Sequence, residues 1–214
     1  MDSFECNVCP KKRLEITKEK LLLVEGNDDK LFIDKFLKKL FRDDIQTHPI
    51  IGKGNFDIAH LKAITSMASF KNVKSLGLVR DADDDAENTF RSLCGILEAV
   101  GLSFPDKPNK FTNDSIRTGI FIISPNAKKG NIEDLCLAAI KDLKEMDCIE
   151  DLFKCLKTKL SNDEFPQNIS KSKIQAFLSS RKISVPHLGI ATQKDYFPLD
   201  NNVFDGIKDF LLQI

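Results

Sequence analysis

Two acidic motifs each follow a short apolar run and carry the residue types best suited to chemistry in this chain. Glu25 comes after the apolar residues 21–24, and Asp81 and Asp83 come after residues 76–79. Such runs, bounded by Gly and Asp, predict buried strands of a parallel sheet, and ligands of open α/β sheets lie beyond the carboxyl ends of the strands. Because crowded carboxylates repel one another unless a cation neutralises them, the motifs predict a site for Mg²⁺ or Mn²⁺.

The spacing of the three carboxylates favours a shared site, although each has a plainer interpretation. Asp81 and Asp83 are two residues apart, so an extended strand end would place both side chains on one face. Glu25 could supply a further ligand or transfer a proton during phosphoryl transfer. The alternatives are a strand-end Glu that helix amides satisfy, and a solvated acidic loop that continues into Asp84 and Asp85.

Apolar periodicity predicts the elements that would position these residues. A helix is expected after each of four strands, at residues 21–24, 45–51, 73–79 and 119–124. This alternation predicts an α/β fold with a doubly wound, mainly parallel sheet of about four strands flanked by helices. Residues 103–117 are predicted to form a loop or a short hairpin. We expect three parts: a tail over 1–16, an α/β core over 17–143, and a helical C-terminal part over 144–214 that completes or caps the same domain.

The composition limits the partners and the location of the protein. The 214 residues include 32 basic and 32 acidic ones, so any surface for nucleic acid must be a local patch. No apolar stretch approaches a membrane span and the first residues do not resemble a signal peptide, so we expect a cytoplasmic protein with reduced thiols and no membrane contact. Cys6 and Cys9 have the spacing of half a zinc site. A structural zinc needs four ligands, so zinc is expected only if a dimer supplies the other half.

In their order and in their positions after predicted strands, the motifs resemble the TOPRIM domain, which topoisomerases, primases and OLD-family nucleases share. The first motif is Glu25-Gly26 with Asp29 behind it, and the second is Asp81-Ala82-Asp83. A third segment is similar to a small stand-alone TOPRIM-like family of uncharacterised proteins: Gly130-Asn131-Ile132-Glu133-Asp134-Leu135. The resemblance covers about residues 17–142 and implies a TOPRIM-like fold for them.

The resemblance implies metal-dependent phosphodiester hydrolysis on DNA or RNA, in the manner of an OLD-type nuclease with a metal-activated water. Asp81 and Asp83 would ligate Mg²⁺ or Mn²⁺, and Glu25 would be catalytic as a ligand or in proton transfer. Further acids could hold a second ion or, as the alternative, simply suit the first turn of a helix: Asp29, Glu133 and Asp134.

Two lysines are candidates for holding the substrate phosphate during catalysis. Lys53 lies in a Gly-Lys-Gly turn, and Lys128 lies at the exit of the fourth predicted strand. An ammonium group beside backbone amides suits a phosphate. The alternative for each is a solvated surface lysine, which is the commoner state of this residue.

Two other functions remain open at this point. OLD nucleases normally carry an ATPase module and this chain has no Walker motif, so it could be a non-catalytic TOPRIM-like binding module. Such a module would act with a separate ATPase or regulatory partner, or as a homodimer. Haloacid-dehalogenase phosphatases also use Asp-x-Asp after a strand, which suggests a small-molecule phosphatase or phosphotransferase, but Asp85 stands where they have Thr or Val. A topoisomerase is not expected, because the lone tyrosine, Tyr196, is far from the motifs.

Overall fold

A five-stranded sheet forms the centre of the protein, and the computed structural model describes residues 14–50, 56–125 and 127–214. The strands are β1 (Lys20–Val24), β2 (Ile45–Pro49), β3 (Ser75–Asp81), β4 (Lys110–Phe111) and β5 (Arg117–Ile123). Their order across the sheet is β2-β1-β3-β5-β4. The first four strands in that order are parallel, and β4 runs antiparallel to β5.

The predicted α/β fold with a mainly parallel sheet is confirmed, with one short strand more than expected. The additional strand is β4, which lies in the segment predicted as a loop or short hairpin. There Phe111 pairs with Gly119 of β5. A Cβ atom at Gly119 would lie only 2.5 Å from Phe111 Cζ, so the absence of a side chain lets the ring cover the strand.

Eight α-helices in the described residues flank the sheet. They are α1 (Asn27–Lys39), α2 (Ile58–Thr65), α3 (Ala86–Ala99), α4 (Ile132–Ile140), α5 (Lys144–Lys159), α6 (Ile169–Ser180), α7 (Leu188–Gln193) and α8 (Asp205–Gln213). Within the part of the chain that the structure describes, no helix combines the length and apolar character needed to cross a membrane.

The side chains of β1 show how the sheet buries both of its faces. Leu21 and Leu23 enter one apolar cluster, which α2 and α3 cover. Leu22 and Val24 point the other way, into a larger cluster that includes α1 and the helices from α4 to α8. This alternation follows from the two-residue period of a strand. Because helices cover both faces, the strand is apolar throughout, as is typical of parallel sheets.

The last helix packs directly onto the middle of the sheet. A Cβ atom at Gly77 in β3 would lie 2.5 Å from Leu22 Cδ1 and 3.0 Å from Ile214 Cδ1. Phe210 of α8 is completely buried in the same region. The C-terminal part therefore contributes to the main core, while the predicted boundary at residue 143 stays a prediction.

Candidate functional site

The carboxyl ends of β1 and β3 bring predicted site residues to one edge of the sheet. The two strands are parallel neighbours, and Val24 pairs with Val79. Glu25 and Asp81 therefore leave adjacent strands at nearly the same height. Helix α1 begins immediately beyond β1, which adds Asp29 of its first turn to this edge.

Asp81 connects β3 to the start of α4. The backbone N–H of Ile132 donates a hydrogen bond of 3.0 Å to Asp81 Oδ1, and this contact brings Glu133 towards the strand ends. Burial raises the pKa of Asp81 well above its usual value, and four neighbouring charges raise it further. The four charges belong to Glu25, Asp29, Asp83 and Glu133. Together with Asp81, these residues form what we call the acidic cluster.

Glu25 has an unsatisfied oxygen beside an equally unsatisfied guanidinium nitrogen. Arg80 Nε lies 3.9 Å from Glu25 Oε2, and both atoms are buried without a hydrogen-bond partner among the described residues. Burial raises the pKa of Glu25, although the charge of Arg80 opposes this effect. A buried oxygen without a partner is costly, so this one calls for a water molecule or a cation.

Asp29 and Glu133 approach the cluster from the first turns of two different helices. Burial raises the pKa of Asp29 to about 6, and the negative charge of Glu25 contributes to the same shift. Burial also raises the pKa of Glu133, while the ammonium group of Lys171 acts in the opposite direction. Both acids therefore lie where an ionised carboxylate is unfavourable without a balancing positive charge.

The extended geometry expected for Asp81-Ala82-Asp83 is wrong at Asp83. Strand β3 ends at Asp81, and Asp83 has a left-handed backbone with φ of 50°. The backbone turns there because Asp83 forms an isolated bridge to Gly130: its N–H donates to Gly130 O at 3.0 Å and its carbonyl accepts at 2.9 Å. The Asp83 side chain is exposed, so it reaches the cluster from the solvent side.

Asp134 differs from the other predicted acids because both of its carboxylate oxygens have protein partners. Oδ2 accepts from the backbone N–H of Asn131 at 3.1 Å, which forms a capping box with the Asn131 side chain at the start of α4. Oδ1 accepts from the hydroxyl of Ser170 in α6. The structure thus gives Asp134 a helix-capping role, and a role as a metal ligand stays a prediction.

Of the lysines and cysteines predicted as site residues, the structure describes Lys128. Lys53, Cys6 and Cys9 lie outside the described residues. Lys128 lies in the loop before α4, and its carbonyl accepts from the N–H of Ala86 at 2.7 Å, so its backbone helps to hold the start of α3. The hydroxyl of the lone tyrosine, Tyr196, donates a hydrogen bond of 2.6 Å to Ile183 O, and Arg181 lies over its ring.

A polar cleft of ≈ 770 Å³ opens beside the acidic cluster. The loop residues Asp83 and Lys129 line one side, and residues 167–170, which lead into α6, line the other. A second opening of ≈ 490 Å³ lies at the first turn of α1, and its lining includes Asp28, Asp29 and His187. The C-terminal part of the chain therefore supplies walls on both sides of the cluster.

The donor set suits a hard cation that keeps part of its water shell. In the described residues, no three His, Cys, Asp or Glu side chains stand close enough, as placed, to hold one metal ion by themselves. Mg²⁺ commonly binds through one or two carboxylates together with waters and substrate phosphates, so a closed cage is not required. The half-buried Asp81 and the unsatisfied Glu25 Oε2 fit such an open site.

Comparison with models of protein families identifies the family of the chain. The model of one family, described as a protein of unknown function (DUF3226), matches residues 19–214. The chain belongs to the DUF3226 family. No curated protein matches this DUF3226 chain.

Solved structures similar to the DUF3226 protein share little sequence with it. The C-terminal region of the OLD protein of Xanthomonas campestris pv. campestris is 11% identical, with a TM-score of 0.38, and the match covers 92% of this chain and 84% of that one. A hypothetical protein from Pyrococcus horikoshii OT3 is 16% identical, with a TM-score of 0.44 and coverage of 92% and 100%. At this level of identity and superposition, the similarities carry no information on activity.

The sequence predicts that the C-terminal part of the DUF3226 protein completes or caps the domain, but it does not identify the side chains that this part brings to the site. Burial raises the pKa of Glu133 and the charge of Lys171 partly offsets this rise, while the Ser170 hydroxyl donates to Asp134. His187 Nδ1 lies 3.9 Å from Asp28 Oδ2 at the edge of the smaller opening. None of these residues belongs to a motif, and the packing of α6 and α7 against the core brings them next to acids at this edge of the sheet.

Proposed function

We propose that this protein hydrolyses phosphodiester bonds in nucleic acid, with a divalent cation bound at the acidic cluster. The observation that carries the proposal is the concentration of half-buried, mutually repelling carboxylates at the carboxyl edge of the sheet, where Glu25 Oε2 has no hydrogen-bond partner among the described residues. A divalent cation bound among these carboxylates would compensate for their repulsion, and groups with such raised pKa values are typical of functional sites. The motif resemblance to TOPRIM nucleases points to the same chemistry.

Within this proposal, Asp81 and Glu25 would hold the cation, and Asp83 would reach it from the solvent side. A bound Mg²⁺ or Mn²⁺ would supply a water of lowered pKa and charge for the phosphate oxygens. The charge of Arg80, whose Nε lies 3.9 Å from Glu25 Oε2, favours the ionised form of that carboxylate. As the alternative to a role as a ligand, Glu25 would exchange a proton with the attacking or the leaving oxygen.

The polar cleft is the proposed path of the substrate strand. The cleft lies beside the cluster, between the Asp83 loop and residues 167–170. Lys129 contributes positive charge to its lining. Lys171 approaches Glu133 from α6, so a phosphate near the cluster would have a further cation at hand. Phosphate-holding roles for Lys53 and Lys128 remain part of the proposal. Since the net charge is zero, binding should be local and sensitive to salt.

The direct test is cleavage of supercoiled plasmid, single-stranded DNA and RNA in Mg²⁺ or Mn²⁺. We expect metal-dependent cleavage of at least one of these substrates by the parent protein and none by Asp81→Asn or Glu25→Gln. Asp106→Asn, which changes an exposed acid away from the cluster, is the matched control and should cleave normally. Equal cleavage by Asp81→Asn and the parent would refute the assignment of the site.

A non-catalytic role is the second candidate, and the open arrangement of the carboxylates favours it. Among the described residues no complete metal-binding group is already assembled, so a partner or a nucleic acid could be needed to complete it. This alternative predicts Mg²⁺-dependent binding of nucleic acid without cleavage. Cleavage would then appear only when a partner, such as a separate ATPase, is added. Turnover of an aryl phosphate by the protein alone would instead favour a small-molecule phosphatase.

A further inference from the structure

A smaller cleft lies one strand away from the acidic cluster, between β5 and α8. We call it the β5–α8 cleft, and its volume is ≈ 270 Å³. Its walls include Asn109, Phe121, Ser124, Leu135, Gly206 and Ile207. Most of the lining residues are apolar, and none of those described carries a charge. The cleft is therefore unsuited to a phosphate or a metal ion and suited to an uncharged ring.

Ser124 gives this apolar cleft an unused polar group. Its Oγ atom is buried, and no described residue provides a hydrogen-bond partner for it. A buried hydroxyl without a partner costs free energy in the isolated protein. No hydrogen bond resists rotation about χ1, so the hydroxyl can turn towards a ligand in the cleft and either donate or accept.

The position of the cleft relates it to the acidic cluster. Asp81 pairs with Ile123 across β3 and β5, and the N–H of Ala82 donates to Ile123 O at 3.0 Å. Adjacent strands are about 4.8 Å apart. Ser124, which follows Ile123, therefore lies about one strand away from the end of β3 that carries Asp81. Pro125 lines both the polar cleft and the β5–α8 cleft, which makes the two openings neighbours.

We propose that the β5–α8 cleft binds one nucleobase of the strand whose phosphate lies at the acidic cluster. This inference rests on the proposed function and specifies its substrate contact. A nucleobase is a flat, uncharged ring with a few hydrogen-bonding atoms on its edge, which matches apolar walls with one hydroxyl and one amide, from Ser124 and Asn109. The volume is below that of a drug-sized pocket and fits a single ring system. A base turned out of its stack can enter such a pocket beside the reacting phosphate.

Gly206 keeps the cleft open at the α8 wall. After proline, glycine is the least favourable residue in a helix. A glycine in α8 is therefore expected to have a structural or functional reason. A Cβ atom at Gly206 would lie 3.9 Å from the Phe121 ring, which is an ordinary contact. Alanine therefore fits at this position, whereas leucine would occupy the space that we assign to the base.

The first experiment titrates the full chain, without metal, with adenosine, guanosine, cytidine and thymidine in turn. Amide NMR shifts should move at Ser124 and Gly206 for at least one nucleoside. Gly206→Leu should weaken that binding at least about tenfold, while Gly206→Ala, the matched control, should stay within about twofold. If no nucleoside moves these amides, or if Gly206→Leu binds as the parent does, the cleft is not a base site.

A second pair of variants separates binding from a structural role. Ser124→Ala removes an unpartnered hydroxyl, so it should raise the melting temperature yet weaken nucleoside binding about fivefold. Ser75 Oγ is also buried without a partner among the described residues, but at the opposite end of the sheet. Ser75→Ala should raise the melting temperature and leave nucleoside binding unchanged. Loss of binding in both variants, or in neither, would contradict the proposal.

Failure of this inference can be distinguished from failure of the proposed function. Asp81→Asn should keep nucleoside binding, because the cleft requires no metal. Nucleoside binding without any phosphodiester cleavage would refute the nuclease and still support the base site. Metal-dependent cleavage with the same KM in the parent and Gly206→Leu would refute the base site and leave the nuclease standing.

Discussion

Acidic residues at the two ends of the central sheet have pKa values shifted in opposite directions. At the amino end, Asp44 forms contacts of 2.8 Å with Arg42 Nε and 2.6 Å with Lys20 Nζ. Hydrogen bonds from Arg42 are the main cause that holds the pKa of Asp44 well below its usual value. At the carboxyl end, burial and like charges raise the pKa of Asp81 and Asp29. At the amino end, cations of the chain pair with the acid through hydrogen bonds, whereas at the carboxyl end the charges of Arg80 and Lys171 do not offset the rise in the pKa of Glu25 and Glu133.

This contrast indicates which end is adapted to fold and which is adapted to bind. Paired charges at the amino end contribute modestly to stability, as exposed ion pairs do. Repelling charges at the carboxyl end reduce stability and are retained where a ligand compensates for them. A substitution that removes an acid should therefore have opposite effects on stability at the two ends.

The largest expected effect is in Asp81→Asn, which we expect to abolish metal-dependent cleavage because the variant lacks a carboxylate that we assign to the cation. In metal-free buffer the same variant should be more stable than the parent, because a buried charge disappears while Asn Oδ1 still accepts from Ile132 N–H. Asp44→Asn should do the reverse, with normal cleavage and a loss of up to about 1 kcal/mol. Urea unfolding and a cleavage assay measure both quantities. A less stable Asp81→Asn would contradict the contrast between the two ends.

The next largest effect concerns the pH dependence of stability without metal. The folded state holds a proton on Asp29 up to about pH 6, whereas the unfolded state releases it near 3.8. Between these values the folded protein binds more protons, so its free energy of unfolding falls as pH rises, by up to about 3 kcal/mol in total. Denaturant titrations from pH 4 to 7 should show this fall in the parent, with a shallower slope in Asp29→Asn. Identical slopes would exclude Asp29 as the source.

Divalent cations should remove part of the unfavourable charge at the carboxyl end. We expect Mg²⁺ or Mn²⁺ to stabilise the parent by about 2.7 kcal/mol at a concentration of 100 Kd. Asp81→Asn should show little of this gain, and Asp44→Asn should show all of it. Thermal unfolding at constant ionic strength, with NaCl as the comparison, measures the difference. Equal stabilisation of all three proteins would indicate binding elsewhere.

The meeting of Glu25 and Asp81 could be predicted from the sequence, because the ends of buried parallel strands converge on one edge. The left-handed backbone of Asp83 could not, since it depends on a bridge to Gly130 that only the folded loops create. The capping contacts of Asp134 follow from a local pattern, but its bond to Ser170 depends on where α6 packs. Side chains brought in by tertiary packing leave no signal in local spacing.

The smallest expected effect concerns a residue with a strained backbone near the amino end of the sheet. Phe41, just beyond the C-terminus of α1, has a φ of 53° and is 91% exposed. Glycine suits this helix-ending position, because a left-handed backbone costs other residues about 1–2 kcal/mol. Phe41→Gly should therefore raise stability by a few tenths to about 1 kcal/mol, after the greater freedom of glycine in the unfolded chain is counted. Cleavage and metal binding should not change. A fall in either would mean that the amino end also takes part in function, and the division between the two ends of the sheet would have to be abandoned.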